Sequence, residues 1–207
     1  MKIKSQKYLK TYDYMQRIDK SEIEQAKKIF ALAMFDDDLH KYFFPDEKSR
    51  MEKLEYLYEF KLKTMLLNTY KTSEKYEGFC IWEKPNEHRS AITFNEVIEG
   101  FSLVFNVGIC SLVRMVRYQC WSTKQKKRLV SEPYWYLDTV VVSPDYQGKG
   151  FASKMIKPFL SEANAKGDKV YLETQNIKNV PIYEKYGFKL ISTQYLNKQI
   201  THFAMVK

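Results

Sequence analysis

From Tyr134 to its end the chain changes hydrophobic period in an order that few architectures accept. Tyr134 to Val142 is a β-branched and aromatic run broken by Asp138, which reads as a strand, and Ser143-Pro144-Asp145-Tyr146 stops it as a turn. A helix is expected from about Gly148, with Ala152, Met155, Ile156, Phe159, Leu160 and Ala163 on one face, a kink at Pro158 and Gly167 as its C-terminal cap. Val170 to Thr174 reads as a strand and Val180 to Tyr186 as a short helix closed by Gly187. Two further strands, 188–194 and 200–206, flank a polar turn. The order strand, helix, strand, helix, strand, strand leaves room for one parallel crossover, followed by a hairpin.

The first half is punctuated differently. Ser21 and Glu24 have the spacing of a capping box, and Ile23, Ala26, Ile29, Phe30, Ala33 and Met34 form an apolar stripe, so a helix is expected over 21–36, ended by Asp36-Asp37-Asp38. A second helix is expected over 47–67 from the spacing of Met51, Leu54, Leu57, Tyr58, Leu62, Met65 and Leu66, all of which core packing would explain. From about residue 70 the period shortens. Residues 76–82 read as an aromatic strand, Pro85-Asn86 as a turn, and 90–94 as its hairpin partner. Residues 97–120 are apolar on most faces and suit one buried helix or two. With neither an internal repeat nor a Gly/Ser/Pro linker, one domain over 1–207 is expected, with a more elaborate first half up to residue 133.

Composition removes several classes. Hydrophobic residues at 44% and charged residues at 29% argue against disorder. The longest stretch without a charge, Gly100 to Val113, falls short of the about 20 residues a membrane-spanning helix needs. The basic start Met1-Lys2-Ile3-Lys4 is not followed by an apolar segment and cleavage site, so a cytoplasmic protein is expected. Cys80, Cys110 and Cys120 are odd in number and sit among apolar neighbours, an arrangement that suggests packed thiols and neither disulfide nor metal site. The net charge of +9 suits a polyanionic ligand, and Lys124-Gln125-Lys126-Lys127-Arg128 reads as a solvated loop. With no nucleic-acid motif and no membrane segment, neither partner is expected.

Gln147-Gly148-Lys149-Gly150-Phe151-Ala152 lies between the strand at 134–142 and the helix after it. Glycines there free backbone N–H groups at the positive end of a helix, which suits phosphate, although a tight turn without a ligand would use the same residues. Walker spacing is absent. A dinucleotide fingerprint would use Gly148, Gly150 and Glu173, but its third glycine is replaced by Ser153 and the chain lacks a second parallel crossover.

The stretch 147–152 resembles the Gln/Arg-x-x-Gly-x-Gly/Ala signature of the GNAT superfamily of acetyl-CoA-dependent N-acetyltransferases. A second, independent stretch, Asn176-Ile177-Lys178-Asn179-Val180-Pro181-Ile182-Tyr183-Glu184-Lys185-Tyr186-Gly187-Phe188, is similar to that family's second coenzyme segment. The likeness covers about 134–194. Earlier, Gly78-Phe79-Cys80-Ile81-Trp82 and Trp135-Tyr136-Leu137-Asp138 look similar to the puromycin acetyltransferase-like branch. The resemblance implies an α+β (mixed α/β) GNAT-like fold: a mostly antiparallel central sheet with one parallel, splayed strand pair, flanked by helices. It implies that 134–207 is the coenzyme-binding half and 1–133 the substrate-side half. Gln147, Gly148, Lys149, Gly150, Phe151 and Ala152 would then cradle the pyrophosphate of acetyl-CoA, and Val140, Val141 and Val142 would pair with its pantetheine arm. Asn176 would contact that arm or cap a helix.

Amide formation from a thioester needs a neutral amine, yet an alkylammonium of pKa about 10.4 is almost wholly protonated at pH 7. The departing thiolate gains from a positioned proton donor. By the resemblance, Tyr183 holds the general-acid position. Asp138 and Glu173, on the two strands expected to flank the thioester, are alternative proton acceptors or structural carboxylates, and His202 is a further candidate more suited to packing or surface. The resulting expectation is acetyl transfer to a primary amine of a small molecule or peptide by direct attack in a ternary complex, without a metal, by a monomer or homodimer. The other reading is an acyl-CoA-binding protein of the same fold without catalysis.

Overall fold

The computed structural model of the chain describes residues 15–85, 94–131 and 133–207, the side chains of 94–99 excepted. Seven strands form one sheet among the described residues: β1 (Gln16–Arg17), β2 (Thr69–Lys71), β3 (Gly78–Glu83), β4 (Tyr134–Val142), β5 (Lys169–Thr174), β6 (Lys189–Tyr195) and β7 (Thr201–Val206). Their spatial order is β1-β2-β3-β4-β5-β7-β6. Every neighbouring pair is antiparallel except β4 and β5, which run parallel across the crossover helix α6 (Phe151–Lys166). The α+β class with one parallel pair in a mostly antiparallel sheet is therefore the observed one.

Caps decide where the first-half helices begin. A 3-10 turn, Lys20–Glu22, leads into α1 (Ile23–Met34). Its cap is Asp19, whose carboxylate accepts from the Ser21 N–H at 2.8 Å while Glu22 returns to the Asp19 N–H at 2.9 Å. The box is thus Asp19/Glu22 rather than the Ser21/Glu24 that the sequence offered two residues later, and Glu24 pairs instead with Lys27 and Lys28. The aspartate run does end α1, but Asp37 also caps a short helix that the sequence reading lacked, α2 (Asp38–Phe43), by accepting from Leu39 and His40 N–H groups. Asp46 caps α3 (Glu47–Thr64), which sends Leu54, Tyr58 and Leu62 against Phe30 of α1. Burying a side chain of this size is worth roughly 1.5–3 kcal/mol.

The segment after residue 93 departs from expectation. The proposed hairpin strand at 90–94 falls, up to residue 93, outside the described residues. Phe94 opens a helix, and β3 is flanked by β2 and β4 instead. Two helices follow, α4 (Phe94–Val107) and α5 (Ile109–Leu129), broken at Gly108, whose φ of 82° only glycine adopts readily. They are not buried on all faces. Leu103, Val107 and Tyr118 pack inward, whereas Phe101, Phe105 (90% exposed), Ile109 and Val113 face outward, because one helix face cannot bury so many apolar residues. Two thiols in or beside this region, Cys110 and Cys120, are exposed, and only Cys80 is packed; all three are free. The basic run at 124–128 is the last turn of α5 rather than a loop, with Gln125 buried and Lys126 half-buried.

The sheet separates two apolar layers. On one face Phe79, Ile81 and Val141 meet α1, α3 and the inward side of α4 and α5. On the other, Cys80, Trp82, Trp135 and Leu137 meet Met155, Ile156 and Phe159 of α6. The helix α6 starts at Phe151 with Gly150 as its cap, not at Gly148, runs through Pro158 and ends at Gly167. The last helix, α7 (Val180–Glu184), connects β5 to β6. Among the described residues no helix is long and apolar enough to cross a membrane.

Candidate active site

The parallel pair stays together only from Tyr134 opposite Lys169 to Leu137 opposite Leu172. Beyond that point β4 continues to Val142, paired on its other edge with β3, and β5 continues to Thr174, paired with β7. The backbone edge of Val140–Val142 that faces β5 therefore has no strand partner among the described residues. Asp138 and Glu173 are the first residues past the last pair on their strands. The register of β4 against β3 jumps from Thr139 opposite Ile81 to Leu137 opposite Trp82, so Asp138 is the extra residue of a β-bulge. A bulge re-aims side chains. Here Trp135 and Leu137 pack toward α6 before it and Val140 and Val142 after it, while Asp138 and Thr139 both line the cavity on the opposite face.

At the end of β4 the chain turns through Gly148 (φ 74°) and Gly150 (φ 82°) into α6. A Cβ at either glycine would meet open space, so backbone conformation and not crowding calls for glycine here. The N-terminus of α6 has no side-chain cap, which leaves its first N–H groups for an outside acceptor at the positive end of the helix dipole. Gln147 donates to the Val142 carbonyl at 3.4 Å, and Lys149 to the Asp145 carbonyl at 2.8 Å. Lys154 lies over the Phe151 ring.

The parted strands open onto a cavity of about 620 Å³ roofed by α2, α3 and α5. Asp138 is ion-paired to Lys61 at 2.5 Å and accepts from Thr139 at 2.7 Å, and Lys61 also donates to Thr139 at 2.9 Å. Burial pushes the Asp138 carboxyl up, but the Lys61 charge and these hydrogen bonds outweigh it and hold it below the usual carboxylate value. Glu173, its side chain 6% exposed, accepts from Ser122 at 2.7 Å and Tyr171 at 3.0 Å. Tyr183 on α7 looks into the same cavity. Burial, with a smaller contribution from Tyr186, pushes its phenol up to about 12. Such a phenol stays protonated at any ordinary pH and is available as a proton donor.

Residues 114–207 match the acetyltransferase (GNAT) domain family. That stretch, from α5 to the last strand, is what is similar to a GNAT domain. An uncharacterized N-acetyltransferase of Schizosaccharomyces pombe is 41% identical over 64 residues, which is 31% of this chain and 26% of that protein, so the match spans about a quarter of the relative's length. Solved structures share the fold at low identity. The histone acetyltransferase HPA2 and related acetyltransferase from Corynebacterium glutamicum superposes with a TM-score of 0.64 at 16% identity over 93% of this chain and 94% of its own. Arylalkylamine N-acetyltransferase 2 from Aedes aegypti gives 0.59 at 13% over 93% and 97%. The polyamine N-acetyltransferase of Drosophila melanogaster gives 0.54 at 11% over 93% and 98%.

The residues named from sequence fall into two groups. Val140, Asp138, Glu173 and Tyr183 line one cavity. Asn176 does not; it caps the turn Ile177–Asn179 by accepting from the Lys178 N–H at 3.0 Å, and it is Asn179, tied to Thr174 at 3.0 Å, that lines the cavity. His202 is fully buried, not at the surface. Its Nε2 lies 3.9 Å from Glu173, and burial with the Lys126 charge lowers its pKa against the pull of Glu173.

The sequence reading missed the roof. Asp37, His40, Tyr58, Lys61 and Lys126 all line the cavity. The pairs Asp37/His40 and Tyr58/Lys61 each have the i,i+3 spacing that puts side chains on one side of a helical turn, which is the only trace they leave in the sequence.

Proposed function

We propose that the chain is an acetyl-CoA-dependent N-acetyltransferase that acetylates a primary amine, of a small molecule or a peptide, by direct attack in a ternary complex. The observation that carries this reading is the parting of β4 from β5 at Asp138 and Glu173, into a cavity that Tyr183 faces and at the end of a strand that leads to the Gly148–Gly150 turn. The residues fit the coenzyme. Two positive-φ glycines, an uncapped helix N-terminus and Lys149 and Lys154 suit a pyrophosphate, and the unpaired edge of Val140–Val142 suits the amides of a pantetheine arm added like a strand. Acetyl-CoA would supply the thioester carbonyl and the sulfur leaving group. Tyr183 would protonate that sulfur, and Gln147, Phe151 and Ala152 would complete the phosphate cradle. Asp138 and Glu173 would give the acceptor side its acidic lining and draw in an ammonium ion.

The aromatic and apolar parts of the lining, Phe43, Tyr58, Phe60 and Met115 among them, favour an amine with an apolar body. The reading takes 1–207 as one cytoplasmic acetyltransferase domain, monomeric or dimeric, and the likeness of its β3 and β4 to the puromycin acetyltransferase-like branch belongs to it. The test is release of free thiol from acetyl-CoA in the presence of a panel of arylalkylamines, polyamines and peptide amines. Turnover on at least one amine is expected. Saturable coenzyme binding without thiol release would turn the reading into that of an acyl-CoA-binding protein, and absence of binding would end both.

A further inference from the structure

In the cavity roof Asp37 Oδ1 lies 2.7 Å from His40 Nδ1, and His40 Nε2 lies 2.9 Å from the Tyr58 hydroxyl. Each of the three lines the cavity, yet the His40 and Tyr58 side chains are largely enclosed: His40 is 12% exposed and Tyr58 2%. Resting on the acetyltransfer reading above, we infer that Asp37, His40 and Tyr58 form a proton relay that takes the proton from the incoming ammonium.

The hydrogen-bond directions follow from chemistry. Asp37 also accepts from two backbone N–H groups at the start of α2. Burial pushes its carboxyl up, but the His40 contact and these N–H groups hold it below its usual value, so it is ionised and can only accept. His40 therefore carries its proton on Nδ1, which leaves Nε2 as an acceptor for the Tyr58 O–H. With its own hydrogen spent on His40, the Tyr58 oxygen offers the cavity a lone pair. When an ammonium docks there, its N–H bond breaks toward the Tyr58 oxygen as the Tyr58 O–H bond breaks toward His40 Nε2. The amine is left neutral with its lone pair free, Tyr58 regains a proton, and the imidazolium is held against Asp37. No oxidant or further reactant is needed.

The two carboxylates named from sequence are held differently: both contacts of Asp138 fall on Oδ2, whereas each oxygen of Glu173 accepts one hydroxyl. Asp138 is bound by Lys61 and Thr139, and Glu173 by Ser122 and Tyr171. Lys61, Tyr118 and Asp138 line the same cavity, and Arg50 and Arg114 reach the end of α2. Arg50 and Arg114 are occupied by the Phe44 and Phe43 carbonyls that end α2, so they fix that helix in place.

The test pairs two acceptors. For an alkylamine, charged at neutral pH, His40→Gln and Tyr58→Phe should each lower kcat by about 100-fold, the scale of a lost general base, with the KM for acetyl-CoA unchanged. For an aromatic amine, already neutral, both variants should stay within about threefold of the parent, because no proton has to leave before attack. Equal losses on both acceptors would mark the three residues as structural, and no loss on either would remove them from the reaction. If His40→Gln does not fold, Tyr58→Phe decides by the same ratio. Apart from turnover, nitrogen-15 NMR of the protein alone should find His40 protonated at Nδ1 and bare at Nε2; a proton on Nε2 in the neutral ring overturns the relay. That readout stands even if no amine in the panel is acetylated, an outcome that counts against the acetyltransfer reading instead.

Discussion

At the mouth formed by 147–152 the available groups are backbone: helix N–H groups and the unpaired edge of Val140–Val142, shaped by the φ of two glycines. At the mouth under the roof they are side chains, brought from α2, α3, α5, β4 and β5 and tied to one another by hydrogen bonds. The first arrangement needs a short stretch of chain and tolerates many neighbouring side chains. The second needs residues far apart in sequence, such as Lys61 and Thr139 or Ser122 and Glu173, to meet in one geometry. A backbone device can serve any acceptor, whereas the side-chain roof is where specificity for one acceptor would be built.

The sharpest way to break this comparison is Gly150→Glu. The φ of 82° would strain a non-glycine residue and the carboxylate would oppose a pyrophosphate, so acetyl-CoA affinity should fall by roughly 100-fold or more while the fold survives, as read by equilibrium dialysis and circular dichroism. Unchanged affinity would mean that the turn holds no phosphate. Next, Tyr183→Phe should lower kcat by about 100-fold with little change in coenzyme affinity. Because the phenol sits at about 12, the parent should show no alkaline fall in kcat from this group up to about pH 11. A fall near neutral pH that vanishes in the variant would contradict the assignment.

A smaller effect is expected at the carboxylate that the bulge presents. Asp138 and Lys61 are 17% and 27% exposed, so Asp138→Asn should cost about 1–2 kcal/mol in chemical denaturation, between the values for exposed and buried pairs. The folded-state pKa of Asp138 lies below its ordinary 3.8, so its contribution is complete above that value and is lost as pH falls through the lowered one. The stability gap between parent and variant should therefore close in strong acid; a gap that widens there would reverse the sign. The smallest effect belongs to Phe105→Ser, within about 0.5 kcal/mol, because a ring 90% exposed loses little on removal.

How much of this was legible follows the same division. The turn, the strand before it and the helix after it were readable because glycine, period and cap act within a few residues, and β4, α6, β5, α7, β6 and β7 fall close to where the pattern put them. Ends were read less well where two caps compete in neighbouring registers, as Asp19/Glu22 and Ser21/Glu24 do. Apolar residues alone could not tell a buried face from an exposed one in α4 and α5, nor could lysines tell the last turn of a helix from a loop. Asp138 and Glu173 were visible as acids inside strands, but their partners Lys61, Ser122 and Tyr171 were not. The roof triad was invisible for the same reason: Asp37 and His40 are neighbours on one turn, while Tyr58 arrives only when α3 packs beside them.

Calorimetric titration of the protein with acetyl-CoA tests the central claim most directly. One saturable binding event per chain, lost in Gly150→Glu and retained in Tyr183→Phe, is the expected result. Absence of heat together with absence of thermal protection by the coenzyme would contradict the account.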